Sequence, residues 1–120
     1  LKGNPVNSGH ILNVGLMKLL DGNVDDAEKY FLRCQEVLPR EWNSLFNLAV
    51  IELGRGKFDQ AIELLNQSEK SKASEGTTFA KGVALARLGK FDEALAQWKT
   101  LGEKSHDVRL AIEIVEGVKR

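Results

Sequence analysis

The chain has 120 residues, of which 42% are hydrophobic and 28% are charged, a composition typical of at most one globular domain. Lys and Arg together number 17, as do Asp and Glu, and this balance argues against nucleic-acid binding, which usually leaves a basic surplus. No apolar run approaches the ~20 residues that span a bilayer, which argues against direct membrane insertion through a helix.

The compartment is less constrained than the fold class. Nothing near the start of the sequence resembles a signal peptide, and Cys34 is the only cysteine, so an internal disulfide is impossible. Both observations fit the cytoplasm, which is our default prediction. A periplasmic or membrane-tethered parent protein remains open, because a single cysteine is compatible with either.

One ten-residue pattern occurs three times along the chain. Its copies are GNVDDAEKYF at 22–31, GKFDQAIELL at 56–65 and GKFDEALAQW at 89–98. The last two share Gly, Lys, Phe, Asp and Ala at the same offsets, and the first keeps Gly, Asp and Ala. A repeat every 33 or 34 residues indicates a stack of similar structural units.

Each unit is predicted to be a hairpin of two helices. In the middle unit, apolar residues recur at helical spacing in 42–53 and again in 57–71. Gly54 and Gly56 lie between these segments, where glycine accepts the left-handed conformation that ends a helix. A lone hairpin cannot cover its own apolar face, whereas stacked hairpins can.

Three alanines occupy the same position in the second helix of each unit: Ala27, Ala61 and Ala94. Two helices approach closely only where a side chain is small, and a larger residue would cost about 1–3 kcal/mol in overpacking. We therefore predict that these alanines are contact points between helices.

A final helix is predicted over residues 108–120, with Asp107 as its N-cap. The stripe that would cover the third hairpin consists of Val108, Ala111, Ile112, Val115 and Val118. Leu110 and Ile114 add apolar surface on another side, whereas a capping helix is normally polar outward. We expect that the native chain continues into further repeats or that this end meets a partner; simple exposure of Leu110 is the alternative.

These units resemble the tetratricopeptide repeat, whose 34-residue unit prefers Gly or Ala at position 8, Gly at 15, an aromatic residue at 17 and Ala at 20. The matching residues are Gly15, Gly22 and Ala27 in the unit that starts at Ser8; Ala49, Gly56, Phe58 and Ala61 in the unit that starts at Trp42; and Gly82, Gly89, Phe91 and Ala94 in the unit that starts at Glu75. The resemblance implies an all-α solenoid with repeats at 8–41, 42–74 and 75–107 and a cap at 108–120. Thr78 and Lys81 depart from the pattern, since the family prefers apolar residues at their positions.

No group of residues predicts catalysis, a metal site or a cofactor. His10 and His106 lie near opposite ends of the chain and lack ligand partners at metal-binding spacing. Cys34 is predicted to be a packed, inert thiol. The acidic pairs are assigned the structural role of complementing helix dipoles at the first turns of second helices; they are Asp25–Asp26 and Asp92–Glu93.

Two short motifs are also assigned no chemistry. The GRG segment at 54–56 is predicted to be a turn, because it lacks the spacing of a phosphate-binding loop. Asn66-Gln67-Ser68 matches a glycosylation acceptor but comes without evidence of secretion. We therefore predict that the protein is not an enzyme.

The resemblance implies that the first helix of each hairpin lines a concave groove. The candidate groove residues are Leu12, Asn13, Leu16, Phe46, Asn47, Val50, Phe79, Val83 and Arg87. Such an apolar groove suits an amphipathic helix or an extended hydrophobic segment, with Asn13 and Asn47 bonding its backbone. The alternative is cover from within the chain, by the N-terminal LKGNPVN segment or by the last helix.

Some members of the family hold two carboxylates of a peptide with basic residues at fixed groove positions. Here Gly9, Gly76 and Ala80 stand at the positions where those cations are needed, although Asn13 and Asn47 match. The two carboxylates of a bound peptide would lose their hydration in the groove without a cation to pair with. This mode of binding is therefore not expected.

The leading hypothesis is a non-catalytic interaction module, an adaptor or assembly scaffold, that binds a protein or peptide partner in the groove. A second hypothesis is a homo-oligomer built through the repeat ends, with Leu110 and Ile114 at the contact. A third is a regulatory or docking part of a larger enzyme, suggested by the start at Leu1 and the apolar end of the stack. Because one fold serves many functions, the sequence names no partner.

Overall fold

The computed structural model describes the backbone of residues 5–102 and 105–119 and the side chains of residues 9–102 and 105–118. Within those ranges the chain forms seven α-helices and no β-strand. They are α1 (Pro5–Leu20), α2 (Val24–Val37), α3 (Trp42–Gly54), α4 (Phe58–Ser71), α5 (Glu75–Arg87), α6 (Phe91–Lys99) and α7 (His106–Lys119). The predicted all-α fold is confirmed.

The helices pack in chain order into three hairpins and a closing helix. The first hairpin is α1–α2, the second α3–α4 and the third α5–α6, and α7 packs on α6. The second helix of each of the first two hairpins also contacts the first helix of the next, and α3 contacts α5 directly. The molecule is 55 Å long and 25 × 24 Å across, as expected when units stack along one axis. The predicted solenoid is confirmed.

Each hairpin turns at a glycine with a positive φ angle. Gly22, Gly56 and Gly89 have φ values of 84°, 79° and 82°, which other residues rarely adopt. At the second turn the backbone N–H of Lys57 donates to the carbonyl oxygen of Glu52 at 2.9 Å, and the same bond recurs at the other two turns. This bond satisfies a carbonyl that the end of the first helix leaves without a partner.

A match of side-chain size joins the two helices of each hairpin. A small residue in the first helix is followed sixteen positions later by a large one in the second, and the pairs are Gly15 with Phe31, Ala49 with Leu65, and Gly82 with Trp98. A methyl group on Gly82 would lie 2.6 Å from Cδ1 of Trp98, and one on Gly15 would lie 2.8 Å from Cε1 of Phe31. The two glycines therefore make room for aromatic rings that are almost completely buried.

The close approach of helices is also visible at the three repeated alanines. Ala27, Ala61 and Ala94 are completely buried, as predicted. Later in α4, the buried Ser68 hydroxyl donates to the carbonyl oxygen of Trp42 at 3.0 Å and ties α4 to the start of α3. A buried hydroxyl without such a partner would cost free energy.

The two departures in α5 are accommodated by polar contacts. The ammonium group of Lys81 lies 2.9 Å from Oε1 of Glu69 on α4, and both side chains are mostly buried. The hydroxyl of Thr78 donates to the backbone carbonyl of Ser74 at 3.3 Å. Lys81 therefore joins the second and third hairpins with an ion pair where the repeat pattern prefers an apolar residue.

Helix α7 covers the third hairpin with only part of the predicted stripe. The residues of α7 that are buried in the same cluster as Trp98 of α6 are Val108, Ile112 and Val115. Val118 is 61% exposed, so its assignment to the covering stripe is wrong. Because α6 has nine residues and α7 has 14, the last turn of α7 has no equally long helix to pack on. Leu110 and Ile114 are exposed, as predicted.

Two local predictions are corrected. Gly54 does not break a helix: it is the last residue of α3, and only Gly56 beyond it has a positive φ. Asp107 is not the N-cap of α7, because the helix begins at His106 and the carbonyl oxygen of Ser105 accepts from the N–H of Arg109 at 3.1 Å. The carboxylate instead lies in the first turn, where the helix dipole favours it.

Candidate functional site

The nine predicted groove residues lie on the first helices of the three hairpins. We call the side of α1, α3 and α5 that carries them the first-helix face. Its residues are Leu12, Asn13 and Leu16 on α1; Phe46, Asn47 and Val50 on α3; and Phe79, Val83 and Arg87 on α5. The alternative cover by LKGNPVN falls on residues 1–7, whose side chains lie outside the described part of the chain.

The apolar side chains of the first-helix face do not form one open strip. All but Val50 are half-buried, and they pack against three separate clusters. Leu12 and Leu16 contact the cluster around Phe31, and Phe46 contacts a second cluster around Leu65. Phe79 and Val83 contact the third cluster, around Trp98. Most of this apolar surface therefore contributes to the core and offers a partner only part of each side chain.

Phe79 is the most constrained of these residues. Its ring centroid lies 6.0 Å from that of Trp98, at an interplanar angle of 32°. Its backbone carbonyl accepts a hydrogen bond from the Trp98 indole N–H at 3.0 Å. The ring is therefore held by the core of the third hairpin, and a substitution at Phe79 would test folding before it tests binding.

The polar residues of the first-helix face differ in what they have available for a ligand. The Asn47 side-chain amide donates to the carbonyl oxygen of Asn43 at 2.8 Å, so one of its N–H groups is already used within α3. Asn13 is exposed on α1. The Arg87 guanidinium carbon lies 5.7 Å from the centroid of the Phe58 ring, a distance typical of a cation–π contact.

A cavity that the sequence reading missed lies where the first hairpin meets the second. Its volume is about 410 Å³. We call it the junction cavity, and it is lined by Leu19, Val24, Asp25, Val50, Ile51, Gly54 and Arg55. Only Val50 belongs to both the predicted groove and this lining. Val24 and Val50 are each 37% exposed, so part of the apolar lining is open to solvent.

The rim of the junction cavity carries an ion cluster centred on Arg55. The Arg55 guanidinium lies 3.0 Å from Oδ1 of Asp25, 2.8 Å from Oε2 of Glu28 and 3.1 Å from Oε1 of Glu52. Its hydrogen bonds to Glu28 and then to Glu52 are the main causes that raise the pKa of Arg55 above its ordinary value. The GRG segment therefore forms a turn and also joins α2 to α3 through the ion pairs of Arg55.

The repeat itself contained a signal for the junction cavity. In GKF at 56–58 and GKF at 89–91 the third residue is Phe, whereas the same position in GNV at 22–24 is Val24. Both phenylalanine side chains are half-buried, and Phe91 packs against the core of the third hairpin. The shorter Val24 leaves volume that a ring fills in the other two repeats.

The structure places the two histidines, the cysteine and the glycosylation-like motif as follows. His10 and His106 are both exposed, and no three His, Cys, Asp or Glu side chains among the described residues are grouped to hold a metal ion. Cys34 is buried, and its burial, followed by the charge of Glu41, raises the pKa of the thiol. A thiol with a raised pKa is a poor nucleophile. In the glycosylation-like motif at 66–68, Ser68 is completely buried.

None of the described helices has the length and apolar character needed to cross a membrane.

A family model described as anaphase-promoting complex, cyclosome, subunit 3 matches residues 21–100, which are 80 of the 120 residues of the chain. The matched segment runs from the first glycine turn to the end of α6 and contains all three copies of the ten-residue pattern. The chain belongs to this family, and its fold is that of a tetratricopeptide-repeat domain. The resemblance inferred from the sequence is confirmed.

Solved tetratricopeptide-repeat structures superpose on most of the chain. The first such domain of Spaghetti (RPAP3), bound to the HSP90 peptide SRMEEVD, is 16% identical with a TM-score of 0.84, and the match covers 92% of this chain and 94% of that one. The Yersinia enterocolitica type III secretion chaperone SycD, in complex with a peptide of the translocator YopD, is 15% identical with a TM-score of 0.83 and 98% coverage of both chains. MamA of AMB-1 is 26% identical with a TM-score of 0.75, over 91% of this chain and 62% of that one. No curated protein sequence matches the chain.

Three residues stand at the positions where some members of the family have the basic residues that hold peptide carboxylates. They are Gly9, Gly76 and Ala80. Gly9 and Gly76 are exposed, and a methyl group on Gly76 would lie 3.6 Å from Cζ of Phe46. Ala80 is buried in the cluster that contains Leu65. None of these residues provides a positive charge to the first-helix face, and Arg87 is the one cation among its nine defining residues.

Proposed function

We propose that the chain is a non-catalytic protein-interaction module that binds a peptide or helix of a partner protein along the first-helix face. The proposal is supported by two proteins of the same fold that are seen with peptides, Spaghetti with an HSP90 peptide and SycD with a peptide of YopD. Because both proteins are less than 20% identical to this chain, they share its fold only. The choice of ligand therefore depends on the residues of this chain.

The observation that carries the proposal is the partial exposure of apolar side chains on α1 and α3 beside a cavity. Val50 belongs to the first-helix face and also lines the junction cavity of about 410 Å³. That volume lies in the range typical of ligand sites, about 300–1,000 Å³. Asn13, which also belongs to the first-helix face, is exposed and can bond a ligand backbone.

The charge of the first-helix face selects against acidic peptide termini. A peptide such as SRMEEVD carries several carboxylates, and each buried carboxylate needs a charged or strongly hydrogen-bonding partner. Gly9, Gly76 and Ala80 offer no charge, and the Arg87 guanidinium already lies over Phe58. We therefore propose a ligand whose main contacts are apolar.

The test is selection from a peptide display library, followed by binding measurements on the selected peptides. The double variant Asn13→Ala, Arg87→Ala truncates two exposed polar residues of the first-helix face. We expect it to bind the selected peptides at least ~10-fold more weakly, a loss of about 1.4 kcal/mol. The matched control, Asn66→Ala with Arg33→Ala, makes the same residue changes at exposed positions of α4 and α2.

Two results would contradict the proposal. The first is that the folded protein selects no peptide above background. The second is that the control double variant weakens binding while the first-helix double variant does not. Circular dichroism of every variant would establish that helicity is retained.

A second candidate function, self-association through α7, is favoured by one observation. Leu110, Ile114 and Val118 are exposed on the terminal helix, whereas buried Val108 and Val115 hold it to the third hairpin. We propose that a second copy covers this exposed side. Sedimentation over a range of concentrations should show a dimer that Ile114→Lys abolishes, and a strict monomer up to high micromolar concentration would exclude this function.

A further inference from the structure

The two junctions between hairpins present the same positions with different side chains. At the junction of the second and third hairpins, the Phe58 ring of α4 is met by Arg87 of α5, 5.7 Å from the ring centroid. At the junction of the first and second hairpins, the equivalent positions are Val24 and Gly54. Both line the junction cavity, so this junction lacks the ring and also the long side chain that covers it.

The cavity is accessible rather than filled by neighbouring side chains. Val24 and Val50 are each 37% exposed, and a methyl group on Gly54 would meet no atom within 4 Å. Leu19 and Ile51 complete the apolar part of the lining. One apolar side chain of a partner protein can therefore enter this cavity, which lies at the position equivalent to that of the Phe58 ring in the next repeat.

The ion cluster beside the cavity carries more negative than positive charge, although the chain as a whole is neutral. Asp25 and Arg55 line the cavity itself, and Glu28 and Glu52 bind Arg55 next to it. Asp25, Glu28 and Glu52 surround the single guanidinium of Arg55, so three negative charges face one positive charge. Asp25 is 91% exposed, whereas its neighbour Asp26 lines a separate cavity with Lys18, Lys29 and Arg33. A ligand with positive charges on either side of its apolar residue would complement this rim, whereas acidic flanks would be repelled.

We propose that the junction cavity is the anchor site of the module, and that it accepts one Phe or long aliphatic side chain of a partner protein segment flanked by Lys or Arg. This inference rests on the proposed function and adds to it the chemistry of the partner. The apolar side chain would gain burial against Leu19, Val24, Val50 and Ile51. A basic flank would lie beside Asp25 and set the preference among partners.

The probe is a capped heptapeptide with Phe at its centre, Ala on either side and two Lys at each end. Methyl NMR of the full chain should show saturable shifts at the methyl groups of Leu19, Val24, Val50 and Ile51. A peptide with Ser in place of Phe should lose these shifts. A peptide with Glu in place of every Lys should bind at least ~10-fold more weakly at low salt, and 1 M salt should reduce that difference, because salt screens surface charges.

The decisive variant is Val24→Phe, which supplies from within the chain the ring that the partner would bring. It should bind the Lys-flanked peptide at least ~10-fold more weakly, and its thermal midpoint should not fall. Val24→Ala is the matched control, because it leaves the cavity open and should keep binding. If Val24→Phe does not fold, Gly54→Arg serves instead, since an arginine side chain at this cavity-lining position reproduces the Arg87 of the next junction.

Several outcomes would overturn the proposal. These are shifts confined to other methyl groups such as those of Ile114, equal binding of the Lys- and Glu-flanked peptides, and unchanged binding by a folded Val24→Phe. A concentration-dependent dimer that Val24→Phe dissociates would assign the cavity to a second copy. If library-selected peptides lose affinity with Asn13→Ala, Arg87→Ala but not with Val24→Phe, the anchor site is wrong while the proposed function stands.

Discussion

The first and third hairpins have the same plan but are filled to different degrees. In the third, Gly82 receives the indole of Trp98, and Phe91 packs in the cluster that α7 covers. In the first, Gly15 receives the smaller ring of Phe31, and Val24 stands where the third hairpin has Phe91. The third hairpin is therefore closed by its own aromatic rings together with α7, whereas the first leaves the junction cavity at its boundary with the second.

This difference separates positions that specify the fold from positions that are free to vary. The pairs of small and large residues are needed in every hairpin, because two helices cannot approach around a ring unless the facing residue is small. The aromatic position after each glycine turn is different, since Val24 occupies it without unfolding the first turn. A repeat can therefore acquire a binding cavity by shortening one side chain outside the pair.

The largest expected effect comes from adding a methyl group at the tighter pair. Gly82→Ala places Cβ 2.6 Å from Cδ1 of the buried Trp98, and we expect an overpacking cost of about 3 kcal/mol or more. Alanine gains only about 1 kcal/mol of helix propensity over glycine, so the net loss should be about 2 kcal/mol or more. Urea unfolding followed by circular dichroism measures it.

Gly15→Ala sharpens the comparison, because its Cβ would lie 2.8 Å from Phe31 and 3.2 Å from Cβ of Tyr30. The overpacking there should cost about 1–2 kcal/mol and be largely offset by helix propensity. Gly54→Ala, with no atom within 4 Å, is the control and should not lose stability. Equal losses in the two pair variants would show that the third hairpin is not the more tightly filled one.

The next effect concerns the indole of Trp98. Trp98→Phe removes the N–H that donates to the Phe79 carbonyl at 3.0 Å and also shrinks a buried ring. We expect a loss of about 1–3 kcal/mol in the free energy of unfolding. Trp42→Phe is the matched control: its half-buried ring has Lys72 Nζ at 4.9 Å, a contact worth about 1 kcal/mol or less. A larger loss for Trp42→Phe would contradict the assignment of Trp98 to the core.

Most of the fold could be predicted from the sequence because the determinants are local and repeated. Three glycine turns at a regular spacing fix the hairpins, and the observed φ values show why glycine is needed there. The limits of α7 were less predictable. Burial of Val118 depends on how far α6 extends, and that length is not encoded near Val118 itself.

The candidate site was less predictable, because exposure depends on packing between hairpins. Phe46 and Phe79 read as groove residues from their position in the repeat, but both pack against the core. The contacts of Arg55 with Asp25 and Glu28 could not be predicted without knowing that α2 and α3 lie side by side. The two acidic residues are 30 and 27 positions away from Arg55 in the sequence. Val24 alone carried a local signal, a Val where the other copies have Phe.

A smaller effect of opposite sign is expected from filling the first hairpin. Val24→Phe should raise the free energy of unfolding by about 0.5–2 kcal/mol, as cavity-filling substitutions commonly do. Leu32→Phe, an equally hydrophobic change at an exposed position of α2, should change it by at most about 0.5 kcal/mol. Thermal unfolding measures both. A destabilised Val24→Phe would mean that the junction cavity is too narrow or wrongly shaped for a ring.

The smallest effect concerns the ion pairs at the two junctions, where Arg55 faces three carboxylates and Lys81 is paired with Glu69. At the first junction Arg55 faces Asp25, which is 91% exposed, so Arg55→Met should lower the thermal midpoint at low salt and lose most of that effect in 1 M NaCl. At the second junction Lys81 and Glu69 are 16% and 28% exposed. Lys81→Met supplies the apolar side chain that the repeat pattern prefers, and because desolvation of the pair offsets its attraction, the midpoint should change little at either salt concentration. A salt-insensitive loss in Arg55→Met would instead show that its aliphatic stem, and not its charge, holds α2 against α3.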